Sequence, residues 1–248
     1  MLIDTHAHLD MVDEKDIETV IYDARKKGIE QIISCSTSFH SNIKNLELAS
    51  KFENIDCATG LYPLDAMELT SKEIDNAFDY FKTHVNEVVA IGEVGLDKKY
   101  CKTDDEFIKQ KEVFIRFIKF SKKYDKPLII HSRYATREII EVLQKNNAKK
   151  VLLHSFTESL KLMKKAIEKG WFVGVGLTVL TDELVQKRVR EIPLSGILLE
   201  TDSPIKFNGK LAMPAKINEI AAKIAELKEL PQNQVEDQLL NNYETLFK

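Results

Sequence analysis

The chain has 248 residues, 44% of them apolar and 30% charged, which excludes a disordered, collagen-like or disulfide-stapled protein and leaves room for a large folded core. A net charge of −3 excludes a global basic field, so the whole surface does not grip duplex nucleic acid, although a local positive site stays open. Three cysteines without C-x-x-C spacing, no leader-like start and no run of ~18 apolar residues make a cytoplasmic protein with no membrane partner the expectation.

The first apolar run, residues 2–5, leads directly into His6-Ala7-His8. Side chains two apart in an extended segment point the same way, so these two imidazoles can reach one metal ion. A helix over 14–27 stops at Gly28, and further strands are expected at 31–35, 55–60 and 88–91. Cys35 and Cys57 fall inside two of these and read as small buried apolar residues. The long segment 104–124 has acids in its first turn and lysines in its last, which suits a helix dipole. Phe107, Phe114, Phe117 and Ile118 are its core-facing stripe. Strands follow at 127–130, 151–153, 172–175 and 196–199, with a helix at 158–169 and two closing helices at 213–227 and 232–247. The strands are apolar on both faces, as buried parallel strands are. Eight of them alternating with helices, without a linker or repeat, predict an α/β fold: one (β/α)₈ TIM-type barrel spanning 1–248. A doubly wound open sheet lacks the Gly-rich phosphate loop it needs after strand 1.

Sites in such barrels lie at the C-terminal ends of the strands. There the sequence puts His6 and His8 (strand 1), Glu93 (strand 4), His131 (strand 5), His154 (strand 6) and Asp202 (strand 8). His40 and His84 bound helices and read as surface residues. Four imidazoles with carboxylates suit Zn²⁺, Mn²⁺ or Fe²⁺ better than a Ca²⁺ cage. Six ligands exceed what one tetrahedral catalytic zinc takes, so two ions sharing a carboxylate are expected. Such a centre keeps net positive charge and favours an anionic reacting group such as a phosphodiester.

The segments Ile3-Asp4-Thr5-His6-Ala7-His8-Leu9-Asp10, Ile91-Gly92-Glu93-Val94-Gly95-Leu96-Asp97, Ile130-His131-Ser132-Arg133, His154-Ser155-Phe156 and Leu199-Glu200-Thr201-Asp202-Ser203-Pro204, with the Leu246-Phe247 ending, resemble the TatD family of metal-dependent deoxyribonucleases in the amidohydrolase superfamily. The resemblance implies up to two divalent ions (Zn, Mn or Mg). His6, His8 and Asp202 would hold one, His131 and His154 the other, and Glu93 would bridge them. It also implies hydrolysis of DNA, as an exonuclease on single strands or an endonuclease at abasic sites. Some relatives are linked to removing D-amino acids from tRNA. Asp202 is the candidate base that orients water, with the ions stabilising the phosphoryl charge.

Around that centre the readings are open. Arg133 forks onto a phosphate or makes a structural ion pair. Asp97 orients a loop or a ligand histidine. Lys98, Lys99 and Tyr100 serve backbone charge and base stacking or form a solvated charge run. Relatives usually carry histidine in a Gly-x-His-Pro segment where this chain has Tyr62, with Leu64 following; Tyr62 still donates a hydrogen bond but carries no charge near neutrality. Thr157 and Glu158 replace a Ser-Gly pair, and Lys206, Lys210 and Ala212 replace an arginine-rich stretch. These departures keep two other readings in play: a hydrolase of another ester or amide, such as a D-aminoacyl-tRNA or small phosphoester, and a metal- or partner-binding protein with little catalysis.

Overall fold

The computed structural model describes all residues, Met1–Lys248. Eight strands, β1 (Leu2–Ala7), β2 (Ile29–Cys35), β3 (Ile55–Thr59), β4 (Ala90–Asp97), β5 (Leu128–Arg133), β6 (Val151–Leu153), β7 (Phe172–Val175) and β8 (Ile197–Leu199), pair in parallel in chain order. The helices are α1 (Glu14–Lys26), α2 (Phe39–Lys51), α3 (Pro63–Glu68), α4 (Ser71–His84), α5 (Asp104–Tyr124), α6 (Thr136–Lys145), α7 (Leu160–Glu168), α8 (Glu183–Glu191), α9 (Ile217–Lys228) and α10 (Gln232–Phe247). A short hairpin, β9 (Lys206–Phe207) with β10 (Lys210–Leu211), follows β8. The alternation and the nearly closed ring are those of a TIM barrel, as the sequence predicts. No helix is long and apolar enough to cross a membrane.

Period-two alternation sorts the strand residues into two cores. Ile3, Ile33, Ala90, Ile129, Leu152 and Leu198 meet inside the barrel, while Ile32, Ile91, Ile130, Leu153, Val173 and Leu199 face the helices. The helices start where their caps say. Thr103 and Thr70 each accept from the N3 amide while the N3 glutamate reaches back, and both helices are set by these reciprocal bonds.

The two closing helices play different parts. α9 packs on β1 and β8 and completes the outer ring. α10 sends Tyr243 and Leu246 into the inner core and plugs the barrel at the end away from His6 and His8. α9 begins at Ile217, after a 3₁₀ turn at Pro214–Lys216, rather than at Met213. β4 and β5 run further than their apolar stretches, because the ladder continues past the polar residues: Gly95 pairs with His131 and Asp97 with Arg133. Glu93 therefore lies within a strand, and the register shifts between Ile91 and Val94 around it. α7 begins at Leu160, not Glu158, whose carboxylate is occupied by the Thr136 hydroxyl at 2.9 Å.

Between β8 and β1 the ring is joined by a seam of polar bonds. The Thr5 hydroxyl donates to the Leu199 carbonyl (2.8 Å), the Asp202 amide to the His6 carbonyl (3.0 Å) and the His8 amide to the Ser203 carbonyl (2.6 Å). The buried Asp4 carboxyl takes the Thr201 amide and pairs with the Thr201 hydroxyl.

Candidate metal centre

His131 and His154 continue the inward-facing parity of Ile129 and Leu152, so they cross from apolar core to site without a break. Asp202 is reached differently. It lies three residues past β8, in the left-handed region (φ 58°). Tyr134 and Ser155, just beyond β5 and β6, share that conformation (φ 56° and 47°). Three of the seven non-glycine residues at positive φ thus sit in loops that carry the site, each costing roughly 1 kcal/mol or more; Asp125 and Glu229 instead cap helices.

All six expected ligand residues meet. The Glu93 carboxylate divides between two pairs of histidines. Its Oε1 lies 2.7 Å from His131 Nδ1 and 3.0 Å from His154 Nε2. Its Oε2 lies 3.6 Å from His8 Nε2 and 3.8 Å from His6 Nε2. Asp202 Oδ1 stands 3.5 Å from His6 Nε2 and 3.2 Å from His8 Nε2. The sets His6–His8–Glu93, His6–His154–Asp202 and Glu93–His131–His154 each bring three donor atoms within 4.8 Å of one another.

The donors are oriented for a metal. His8 Nδ1 donates to the Cys35 carbonyl (2.8 Å), which leaves the Nε2 lone pair facing the centre. His6 Nε2 and His8 Nε2 approach to 3.2 Å, close enough for both to reach one cation. His131 is held at its far nitrogen: Nε2 lies 3.2 Å from Asp97 Oδ2 and 3.1 Å from the Tyr62 hydroxyl, so Nδ1 faces Glu93. Tyr62 donates its single O–H to Asp97 (2.7 Å). Carboxylate–histidine pairs of this kind fix the tautomer and raise ligand basicity.

Without a cation, the charges lean on each other. Burial pushes the Asp202 and Glu93 carboxyls up, but hydrogen bonds and charge from the surrounding histidines outweigh it and hold both well below the usual carboxylate range. Burial disfavours charge on His8 and His154, yet Asp202 and Glu93 raise His8 to about 9, and Glu93 raises His154 to about 10. Burial, with the neighbouring His154, pushes His6 down to about 4.

Two buried carboxyls escaped the sequence reading. Glu200 accepts from the Ser155 amide (2.5 Å) and stands 3.8 Å from His154 Nδ1, and burial raises it to about 7. Its place exists because residue 174 is glycine: a Cβ there would lie 2.1 Å from Glu200 Oε2. Asp4, raised to about 8 by burial, ties β1 to the loop that holds Asp202. The sequence offered only their positions, Asp4 two residues before His6 and Glu200 two before Asp202; what each carboxyl touches depends on distant residues.

The centre floors a cleft of about 540 Å³ that Tyr62, Leu64, Arg133, Thr157 and Ile205 also line. Arg133 is the one arginine or lysine in its lining, half-exposed and 3.8 Å from Asp97. Lys98 pairs with Glu138, Lys99 lies over the Tyr100 ring at 5.6 Å, and all three of Lys98, Lys99 and Tyr100 stand outside the cleft lining. His40 is exposed, and His84 stacks on Tyr80 at 4.2 Å far from the centre.

Residues 3–248 match the protein family described as TatD related DNase. The chain is 31% identical over 257 residues to an uncharacterized metal-dependent hydrolase, YabD, of Bacillus subtilis (strain 168), covering 100% of this chain and 99% of that one. It is 30% identical over 258 residues to deoxyribonuclease TATDN3 of Homo sapiens, covering 99% and 94%. The crystal structure of YjjV, a TatD homologue from Escherichia coli K12, superposes with a TM-score of 0.91 at 28% identity, covering 99% of this chain and 97% of that one.

Proposed function

The chain belongs to the family of TatD-related DNases, whose members include metal-dependent hydrolases, and from that premise we propose that it hydrolyses DNA phosphodiester bonds at a centre of two divalent ions. The observation that carries the reading is the division of Glu93 between His6–His8 and His131–His154, which offers one bridging carboxylate to two cations. In this reading His6, His8 and Asp202 would hold one ion, and His131 and His154 the other. Nitrogen-rich donors suit Zn²⁺ or Mn²⁺ better than Mg²⁺.

The chain's own groups then have distinct tasks. Asp202 stays ionised, so its carboxylate accepts the hydrogen bond that aims an attacking water and receives its proton. A base held that low deprotonates only an acidified water, and acidifying it, together with neutralising phosphoryl charge, is the chemistry that divalent ions supply. Asp97 and Tyr62 keep His131 in one tautomer and orientation. Arg133, half-exposed at the cleft wall, turns from Asp97 to fork onto a non-bridging phosphate oxygen. The setting is the cytoplasm, which the three free cysteines suit.

The test is metal-reconstituted cleavage of end-labelled single-stranded and abasic-site oligonucleotides, wild type beside Asp202→Asn. Cleavage by wild type alone is the expected result. A second reading, hydrolysis of a D-aminoacyl-tRNA or small phosphoester, is favoured by Tyr62 and Leu64, which line the cleft in the segment where relatives carry histidine. Turnover of such esters with none of DNA would replace the first reading by the second.

A further inference from the structure

The hairpin that follows β8 stands beside the centre, and the chemistry proposed there does not use it. Its turn residues Asn208 and Gly209 both have positive φ (49° and 78°), the two-residue turn whose twist matches paired strands. Phe207 anchors it on the main core. What remains outward is cationic and apolar. Lys206 and Lys210 are exposed, and Ile205 and Leu211 expose 47% and 57% of their surface. Lys206 and Leu211 are cross-strand neighbours. Neither lysine has a carboxylate partner, whereas Lys98 is paired with Glu138 and Arg133 faces Asp97. A side groove of about 90 Å³ opens from the main cleft, shares Ser155, Asp202 and Ile205 with it, and ends at Lys206 and Phe207.

We propose that the 205–211 hairpin grips a single-stranded polynucleotide on one side of the bond being cut, with Lys206 and Lys210 on its phosphates and Ile205 and Leu211 against its bases. The proposal rests on the nuclease reading and extends it to how the strand leaves the centre. Charge complementarity selects a polyanion, because Lys206 and Lys210 stand next to the cleft without a carboxylate partner in a chain of net charge −3. The apolar neighbours select a single strand. A duplex hides its base faces in the stack and would meet the hairpin with phosphate alone, while a single strand presents both.

The experiment uses the metal-loaded full chain, wild type beside K206Q/K210Q, with K206R/K210R as the charge-conserving control. Binding of a labelled oligothymidylate of about 20 nucleotides is measured by fluorescence anisotropy across salt concentrations. Turnover of the same oligonucleotide is compared with that of bis(p-nitrophenyl) phosphate, a diester too small to span the centre and both lysines. The glutamine variant is expected to bind the oligonucleotide about tenfold more weakly, with a log–log salt slope shallower by about 0.7 for each phosphate that is no longer neutralised. Its ratio of oligonucleotide to small-diester kcat/KM falls about as much, and the arginine variant keeps wild-type values. An oligonucleotide affinity, salt slope and ratio unchanged in the glutamine variant, while wild type cleaves the strand, would overturn the grip and leave the nuclease reading standing. A wild type that hydrolyses the small diester but neither binds nor cuts the strand would remove both.

Discussion

Each oxygen of Glu93 faces two imidazoles at 2.7–3.8 Å, so a neutral amide there loses charge toward four partners at once. Glu93→Gln is expected to abolish tight binding of the second ion, read as a drop from two equivalents to one or fewer in metal analysis. Asp202→Asn differs, because Asp202 is the group proposed to take a proton. Its kcat should fall by about 10²–10⁴-fold while one ion still binds, with the melting temperature lowered by no more than the loss of the other ion accounts for. Asp97→Asn removes the acceptor behind His131 and should weaken metal affinity by about 10–100-fold, measured by competition with a chelating dye. Gly174→Ala probes the hidden Glu200. Its Cβ would stand 2.1 Å from Glu200 Oε2, so the alanine must displace a buried carboxylate, with a loss of about 1–3 kcal/mol in urea unfolding.

At the scale of elements, the barrel is closed by two devices that differ in kind. α10 plugs the bottom with apolar side chains, and Leu246 is almost wholly buried there. Leu246→Ala should destabilise by about 2–5 kcal/mol, yet leave kcat of the surviving folded protein near wild type, since the plug lies at the far end from the centre. The β8–β1 seam is polar and joins directly to the site. Asp4→Ala would leave the Thr201 amide and hydroxyl without their buried acceptor, at about 1–3 kcal/mol each. Because Thr201 precedes Asp202, this variant should lose metal affinity along with stability. Comparing it with Leu246→Ala at matched stability separates the two effects.

For the molecule as a whole, metal and protons compete. With His8 raised to about 9 and His154 to about 10, both imidazoles are protonated at neutral pH in the metal-free chain. Ligation requires the neutral ring, so each must release its proton when an ion binds. Affinity should therefore rise with pH up to those values, by about tenfold per unit for each proton released. Titrating Zn²⁺ or Mn²⁺ into weakly buffered protein should acidify the solution by more than one proton per chain. Binding to the folded state alone also stabilises it, by about 2.7 kcal/mol at a hundredfold excess over Kd. EDTA should reverse that gain in a thermal melt, and a melt indifferent to EDTA would contradict a metal centre.

The strands, their parallel order and the six residues of the centre were legible because each rests on short-range chemistry. Buried parallel strands must be apolar on both faces, and a histidine or carboxylate ending such a run stands out against it. Spacing by two was enough to put His6 beside His8 and His131 in line with the core-facing Ile129. Other matters depended on residues far apart in the chain. That Tyr62 gives its one O–H to Asp97, that Glu158 is taken up by Thr136, and that Lys98 is neutralised by Glu138 are all consequences of loops from different strands meeting. No local pattern encodes such a meeting. The same holds for Glu200, whose space is made by a glycine 26 positions earlier, on the neighbouring strand. Residue chemistry along single strands thus determined the barrel and the six residues that meet at its mouth. Only the closed ring, by bringing strand ends and loops within hydrogen-bond reach, decided which of the surrounding charges neutralise one another and which remain for a substrate.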